Sequence, residues 1–559
     1  MNTILSNLVS RRLTLASMKS DLPFAVRGVK YDRYMGLSDR DAFGVEVDVN
    51  SENAEKVLSV VMDELYEIGK FGFTEDEFYK GQESYFKDLN YNYDWSIITP
   101  NQVYAYRAID NFLGNYSLAS IEMKKEYMDM IKMEIAPQNL NMYAASFFRK
   151  GDNCRIHYLY PYGDSLPDSL SVRLKGVAEK EIMAIRERRR EGVGPDLFPE
   201  ISLNVTHPVE NTIVKEVPEL ITGSKMWILS NGATVIFKNT QSQPDKFSFK
   251  AVSKGGLSLM GVDNPSRSFI NELAKLTSVA NLSRHELELY MLEEKFSLDV
   301  EFSLNTTSLS GRGYSGSLEN FMKVVHSHFT AQKGDSDLFK KYKSLKRVDL
   351  EGNMMSVSRA FDDSLKMMRY HKSRYVSVQN LHDLDAIAEE DAFGFINKMF
   401  SNASGFYFIF SGDLNETLLR EYVQKYIATI PGNQSSATGW SNVPVYIKKY
   451  NQRTHLKGEI GHNLYNITIH SAATYALQDI AVMSIIGNGL ESRITSELGR
   501  LGIPVKSDFS ISVFPEEFFT ISIDCRTSEY MPQLEEMVLD ILGKVAQEGF
   551  SDREVGNVK

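Results

Sequence analysis

The hydrophobic pattern changes period most clearly over residues 406–431 (FYFIFSGDLNETLLREYVQKYIATIP). Residues 406–410 are continuously apolar and mostly aromatic, and so short a run bounded by turn residues predicts a buried strand. Ser411, Gly412 and Asp413 end it. From Asn415 onward Leu418, Leu419, Tyr422, Val423, Tyr426 and Ile427 fall on one helical stripe, which Pro431-Gly432 stops. The expected unit is a strand, a tight glycine turn and a covering helix, a construction shared by many α+β domains.

The same alternation opens and closes the chain. Residues 43–49 (FGVEVDV) alternate as a half-buried strand does. A helix follows with Val57, Val61, Leu65 and Ile68 on one face, closed by Gly72 in the position of a C-cap glycine. Thr74 and Glu77 then have capping-box spacing, which starts a second helix. At the far end, residues 518–524 (FFTISID) alternate, Leu534, Met537, Val538, Ile541 and Val545 form a helical stripe, and Gly549 closes it. Ser551 and Glu554 repeat the capping box, so GKFGFTEDEF is echoed by AQEGFSDREV. Upstream, LVSRRL at 8–13 is echoed by LESRI at 490–494, which pairs Arg11 with Arg493 as structural residues. A repeat separated by nearly the whole chain implies two related modules, since solenoid periods stay below about 50 residues.

Between these ends lie a charged stretch and a third module. Residues 175–222 contain IRERRREGVGPDLFPE and no sustained apolar period, which suits a solvated linker; a basic binding patch is the alternative. From Trp227 the pattern resumes in MWILSNGATVIFKNT, where Asn231-Gly232 between two apolar runs predicts a hairpin. FSFKAVSKGG at 247–256 gives a further strand, and a long helical region over 317–375 leads back to the strand and helix of 406–431.

Length and charge narrow the function classes. A chain of 559 residues suggests three or four modules, and 43% hydrophobic with 24% charged residues is ordinary globular composition. A net charge of -11 argues against a nucleic-acid partner, which needs a basic face. The two cysteines, Cys154 and Cys525, make neither a disulfide framework nor a metal cluster and read as small core residues. No apolar run reaches the roughly 18 residues of a membrane span. The N-terminal stretch carries arginines inside its apolar pattern, unlike a signal peptide. The pattern also starts inside a folded unit and stops with a helix still running, as expected of part of a longer polypeptide.

With these residues in view, the chain resembles the pitrilysin/insulinase-like zinc metallopeptidases. LSNGATVIFKNT, the glycine pair of VSKGGLSL, the 406–431 stretch and the two Gly-Phe-Thr/Ser segments carry the resemblance, in order and spacing, over nearly the whole chain. It implies an α+β fold of repeated modules, each an antiparallel sheet covered by helices. On that plan residues 1–174 are the second module, 175–222 the linker, 223–440 the third module and 441–559 a truncated fourth. The first module, which holds the family's metal site, is missing.

That site is H-x-x-E-H on a helix with a distal glutamate; the histidines share a face and the intervening glutamate activates zinc-bound water. The chain's ten histidines, His157, His207, His285, His326, His328, His371, His382, His455, His462 and His470, contain no such pair. His285-Glu286 has Leu289 where a second ligand belongs, and His326 and His328 are two apart, as for solvated or locally bonded histidines. In the third module the corresponding helix reads SFINELAKLT, 268–277, with Ser268 and Glu272 in the histidine places. No cofactor is expected in this chain, and zinc is expected in the missing catalytic module.

The family's fourth module contributes an arginine and a tyrosine that hold substrate. Here the segment is GLESRITSELGRLGIPVKSDF, with Gly499 at the strict arginine position, Arg500 beside it, and Val505 or Lys506 near the tyrosine position. Arg500 is the candidate substrate-binding residue, with a plain surface role as its alternative. The resemblance thus implies the non-catalytic, chamber-forming part of a zinc metalloendopeptidase that degrades peptides. Its partners would be peptide substrates and a zinc-bearing module in cis or in trans, with no membrane span and no nucleic acid. The competing reading is a self-standing peptide-binding or scaffold subunit beside a separate zinc-bearing chain. The family admits a periplasmic or exported parent, but nothing in the sequence marks a compartment.

Overall fold

A computed structural model describes residues 1–19, 24–33, 41–49, 53–94, 101–114, 117–132, 135–149, 154–158, 168–186, 201–205, 212–218, 222–240, 244–352, 357–369, 374–432, 443, 463–472, 476–512, 517–527 and 532–558. They fall into two compact units, one of Met1–Ser202 with Gln241–Asp245, the other of Leu203–Thr240 with Lys246–Lys559. Most of the basic run at 185–200 lies outside the described residues.

In the first unit strands β1 (Phe24–Arg33) and β2 (Asp41–Val49) pair antiparallel, from Phe24 opposite Val49 to Arg33 opposite Asp41, with a bulge between Val26 and Gly28. Helices Asn2–Lys19, Ala54–Phe71, Glu75–Asp94 and Pro137–Phe148 cover it. Leu5, Leu8, Val9, Leu13, Val57, Val61, Ile68 and Phe78 are buried together, so the predicted stripe of the second helix faces this core. Gly72 ends that helix with φ of 74°, and a Cβ there would stand 2.4 Å from Cγ of Asn141. Only glycine both takes that φ without strain and leaves room for Asn141, whose amide bonds the Phe73 backbone on both sides at 2.8 and 3.0 Å. The capping box forms as read: Glu77 N–H donates to Thr74 Oγ1 at 3.2 Å, and Thr74 N–H donates to Glu77 Oε2 at 2.7 Å.

In the second unit β3 (Ile213–Pro218), β4 (Lys225–Leu229), β5 (Thr234–Asn239), β6 (Lys246–Lys254), β8 (Phe296–Phe302), β9 (Thr306–Tyr314) and β11 (Tyr407–Gly412) form one sheet in the order β3-β4-β5-β11-β6-β9-β8. Two short strands, β7 (Thr277–Val279) and β10 (Gln332–Gly334), pair separately. The strand read from residues 406–410 is β11 at the centre of the sheet, parallel to β5 and antiparallel to β6. Only one of its faces is buried, since Tyr407 is 46% exposed and Ile409 half-buried. Phe408 and Phe410 are fully buried on one face, against Phe249 and, for Phe408, Phe329.

Three local readings need correction. The helix after β11 is α-helical only over Glu416–Tyr422 and continues as a π-turn over Val423–Ile427. Leu418 falls off the stripe, 46% exposed, while Leu419, Val423, Tyr426 and Ile427 are buried. The helical region over 317–375 holds the helices Leu318–Thr330, Ser336–Gly352 and Val357–Arg369; β10 separates the first two by pairing with β7, and residues 353–356 between the others lie outside the described residues. The last correction concerns the repeat near Arg493.

Strands β12 (Asn463–Ala472), β13 (Val505–Ser512) and β14 (Phe518–Thr527) form a second sheet in the order β12-β14-β13, covered by helices Leu477–Arg500 and Leu534–Glu548. As in the first unit, a strand leads to a helix closed by a left-handed glycine, here Gly549 with φ of 73°. The second capping box also forms, with Ser551 N–H donating to Glu554 Oε2 at 2.8 Å. Arg493 binds Glu554 through two hydrogen bonds at 2.7 and 2.6 Å and lies over the Phe550 ring. Its counterpart is Arg12, which binds Glu77 at 2.5 and 2.9 Å and lies over Phe73. Arg11 is therefore the wrong partner: the repeat is offset by one residue, pairing Val9, Arg12 and Leu13 with Leu490, Arg493 and Ile494.

The exposed copy makes a pH prediction. Hydrogen bonds from Arg493, then from Ser551, hold Glu554 down to about 2. A carboxylate depressed in the folded state stabilises it above its ordinary pKa, and that contribution fades as pH falls from about 4.5 toward 2. The start of helix Asp552–Val558 should fray over that window in wild type. In Arg493→Met the loss should begin at higher pH, as read by a carboxyl NMR titration of Glu554.

Candidate functional site

Residues 268–277, which the resemblance sets in the place of the zinc helix, are built differently from the regular helix predicted there. A 3-10 turn at Pro265–Ser268, capped by Asn264 Oδ1 accepting from Ser266 N–H at 2.9 Å, precedes a single α-turn at Ile270–Leu273. A second 3-10 turn, Ala274–Leu276, then runs straight into β7. Ile270 and Leu273 are buried and fix which face looks outward. Asn271, where the motif's glutamate would stand, spends its amide on the backbone of Phe302 at the end of edge strand β8: it accepts from Phe302 N–H at 2.7 Å and donates to Phe302 C=O at 3.1 Å.

Glu272 faces three donors. Tyr342 Oη donates at 2.6 Å, Gln379 Nε2 at 2.8 Å and Lys346 Nζ at 3.1 Å. Burial pushes this carboxyl up, but the hydrogen bonds from Tyr342, Gln379 and Lys346 outweigh it and hold the group below its ordinary range. Gln379 Nε2 also donates to the carbonyl of Ser268 at 2.9 Å. Arg267, 3% exposed, donates to the carbonyls of Met260 at 2.9 Å and Tyr375 at 3.0 Å, and its burial lowers its pKa. Residues 374–380 are thus strapped onto this turn.

Beside it opens a polar cleft of about 440 Å³ lined by Ser268, Asp349, Arg359, Asp362, Asp363, Lys366, Val378 and Gln379. Lys366 Nζ donates to Ser377 C=O at 2.9 Å, and burial lowers its pKa. Burial raises the Asp362 carboxyl, helped by the nearby charges of Asp524 and Asp363.

This donor set does not fit zinc. Ser268 offers a neutral hydroxyl, the Glu272 carboxylate is already bonded by three donors, and one of these is an ammonium where a cation would have to enter. Among the described residues no group of three His, Cys, Asp or Glu side chains is placed to share a metal ion. None of the described residues lining this cleft is a histidine. His326 and His328 are both buried on helix Leu318–Thr330, so neither is solvated as one alternative had it. His326 Nδ1 is 2.8 Å from Tyr426 C=O, 100 positions away and so not the local bond that the other alternative had, while burial pushes His328 down to about 3 and keeps it neutral. His157 and His382 are exposed, and His207, His371, His455 and His462 lie outside the described residues.

Arg500 ends helix Leu477–Arg500, well exposed, with Nη1 donating to Glu497 Oε1 at 3.0 Å. Val505 opens β13 and Lys506 is exposed, so neither supplies a phenol beside it. Sequence reading found Ser268 and Glu272 but missed Tyr342, Lys346 and Gln379, because they lie 70 to 107 positions from Glu272. The one local trace was Tyr342 and Lys346 four apart on a helix.

No helix among the described residues is long and apolar enough to cross a membrane. Residues 386–559 match the family model of the peptidase M16 inactive domain. No curated protein sequence matches the chain. Of the solved structures, the periplasmic protease PqqL from Escherichia coli is similar over 99% of this chain and 61% of its own, at 16% identity and a TM-score of 0.55. A mutant of the ferredoxin protease FusC, solved in complex with Arabidopsis ferredoxin, is similar over the same shares, at 13% identity and a TM-score of 0.56. At such identities the likeness speaks for the fold, and the chain spans about three fifths of the length of these two proteins. The chain has the fold of the M16 peptidases, and its residues 386–559 are similar to that family's inactive domain.

Proposed function

We infer that this chain is the non-catalytic, chamber-forming part of a zinc-dependent metalloendopeptidase, working beside an H-x-x-E-H module in cis or in trans. The observation that carries the reading is Glu272: the position equivalent to a zinc ligand is bonded by Tyr342, Lys346 and Gln379 in a turn too short for the metal motif. In this reading residues 1–174, 223–440 and 441–559 are the second, third and truncated fourth modules, joined by 175–222, of which Ile213–Pro218 already forms edge strand β3 of the third module's sheet. They enclose peptides that the partner cuts, with size set by the chamber and Arg500 available to an extended substrate.

Reconstitution tests it. The 559-residue chain alone should not hydrolyse a fluorogenic peptide. Co-expressed with an H-x-x-E-H module from the same genome, it should raise that module's chelator-sensitive turnover at least tenfold. Chelator-sensitive hydrolysis by the chain alone would refute the non-catalytic role. A chain that neither binds such a module nor changes its rate would favour the self-standing scaffold.

A further inference from the structure

The strand pair of the first unit is a shortened copy of two larger sheets. Residues 43–49 of β2 (FGVEVDV) keep the same alternation as residues 519–525 of β14 (FTISIDC), with Val45, Val47 and Val49 in the places of Ile521, Ile523 and Cys525. Strand β14 lies between β13 and β12, and β9, which also leads toward a covering helix, lies between β8 and β6. Among the described residues β2 pairs with β1 alone. The place held by β12 in one module and by β6 in another is therefore open beside β2. Burial follows the same difference: Ile521, Ile523 and Cys525 are buried, whereas Val45, Val47 and Val49 pack on their core yet stay half-buried. A two-stranded ribbon is marginal by itself, and an edge of main-chain donors and acceptors accepts a further strand.

We propose that the open edge of β2 receives one antiparallel strand, supplied by the polypeptide that carries the zinc-bearing module; the choice of partner rests on the function proposed above. The strands that hold this place in the other modules define its chemistry. Strand β12 sets Tyr465, Ile467 and Ile469 opposite Cys525, Ile523 and Ile521, and from the opposite face of β12 Asn466 Nδ2 donates to Asp524 Oδ1 at 2.6 Å and to Ser522 Oγ at 2.9 Å. Asp48 and Glu46 stand in the places of Asp524 and Ser522, both exposed and both acidic. The matching strand thus carries apolar residues against Val45, Val47 and Val49, and cationic or amide donors between them. Strand β6 is likewise apolar, with Phe247, Phe249 and Ala251 buried. Both occupants are permanent structural strands, which favours a segment of the partner over a substrate that has to leave.

Hydrogen exchange of the whole chain tests this, because an added strand slows the amides that it bonds. In the chain alone residues 41–49 should exchange about tenfold or more faster than residues 518–527. Co-expression with an H-x-x-E-H module from the same genome should slow 41–49 by about tenfold or more. Glu46→Lys with Asp48→Lys should cancel that protection and leave the melting temperature near wild type, since both side chains are exposed. A synthetic peptide of alternating valine and lysine gives a reading that needs no module. It should protect 41–49 in wild type but not in the double variant, a valine–glutamate peptide should do the reverse, and neither should act once N-methylated throughout. A peptide that protects 41–49 where no module binds would refute the proposed function and this choice of partner, and keep the edge as a strand acceptor. A module that gains turnover without protection of 41–49, a valine–lysine peptide that leaves 41–49 unprotected, or exchange at 41–49 as slow as at 518–527 in the chain alone would overturn the proposal.

Discussion

Arg12→Met should destabilise the first unit by about 3–5 kcal/mol, whereas the equivalent Arg493→Met should cost about 1 kcal/mol or less. The two arginines make the same contacts: two parallel hydrogen bonds to a capping-box glutamate and a face of the phenylalanine after a left-handed glycine. What differs is water. Arg12 and Glu77 are 7% and 1% exposed, and the Glu64 carboxylate lies 3.5 Å from the same guanidinium, while Glu554 is 28% exposed. Removing Arg12 strands a desolvated carboxylate that still has to cap Thr74; removing Arg493 leaves one that water can reach. Urea unfolding of each variant, followed by fluorescence and by proteolysis, gives both losses. Adding Glu77→Gln to Arg12→Met should recover part of the first, because the amide keeps a carbonyl for the Thr74 N–H without a charge. Equal losses for the two arginines would mean that burial is not what sets them apart.

Asn231→Leu should cost about 3 kcal/mol or more, several times the effect of an ordinary hairpin-turn substitution. The residue is 5% exposed, and its amide does three things at once. Nδ2 donates to the carbonyls of Ile427 at 2.8 Å and Ile430 at 2.9 Å, and Oδ1 accepts from Ala233 N–H at 3.1 Å. Leucine is of similar size, so the change isolates lost hydrogen bonds from lost volume, and each stranded buried group costs about 1–3 kcal/mol. The hairpin itself should survive, because Gly232, with φ of 82°, remains to make the turn. Denaturant unfolding of the variant decides it: a loss below about 1 kcal/mol would show that the turn, and not the docking of the helix end, is what Asn231 serves.

Asn231 also shows how far local sequence reaches. Asn-Gly between two apolar runs was enough to place the β4–β5 hairpin, because glycine at the one position of positive φ closes the turn locally. That the same side chain pins the end of a helix almost 200 positions later could not be read, since no periodicity links the two. The capping boxes at Thr74 and Ser551 and the glycines at 72 and 549 were legible for the same reason as the hairpin: their partners lie within three or four residues. The offset between Arg11 and Arg12 was not, because both match the repeated letters and only the helix face decides which one meets Glu77.

The sequence by itself determined the strands and helices with a clean period, the α+β class, the repeat between the two ends of the chain and the absence of the H-x-x-E-H pair from its histidines. Each of these is a property of neighbouring residues or of residue identity. Tertiary structure alone decided that residues 268–277 hold two short turns, Ile270–Leu273 and Ala274–Leu276, because the chain must leave for β7 at Thr277. It alone interrupted the long helical region with β10, whose only reason to be extended is its partner β7. And it alone brought Tyr342, Lys346 and Gln379 to Glu272, since a carboxylate selects its partners by distance in space and not along the chain.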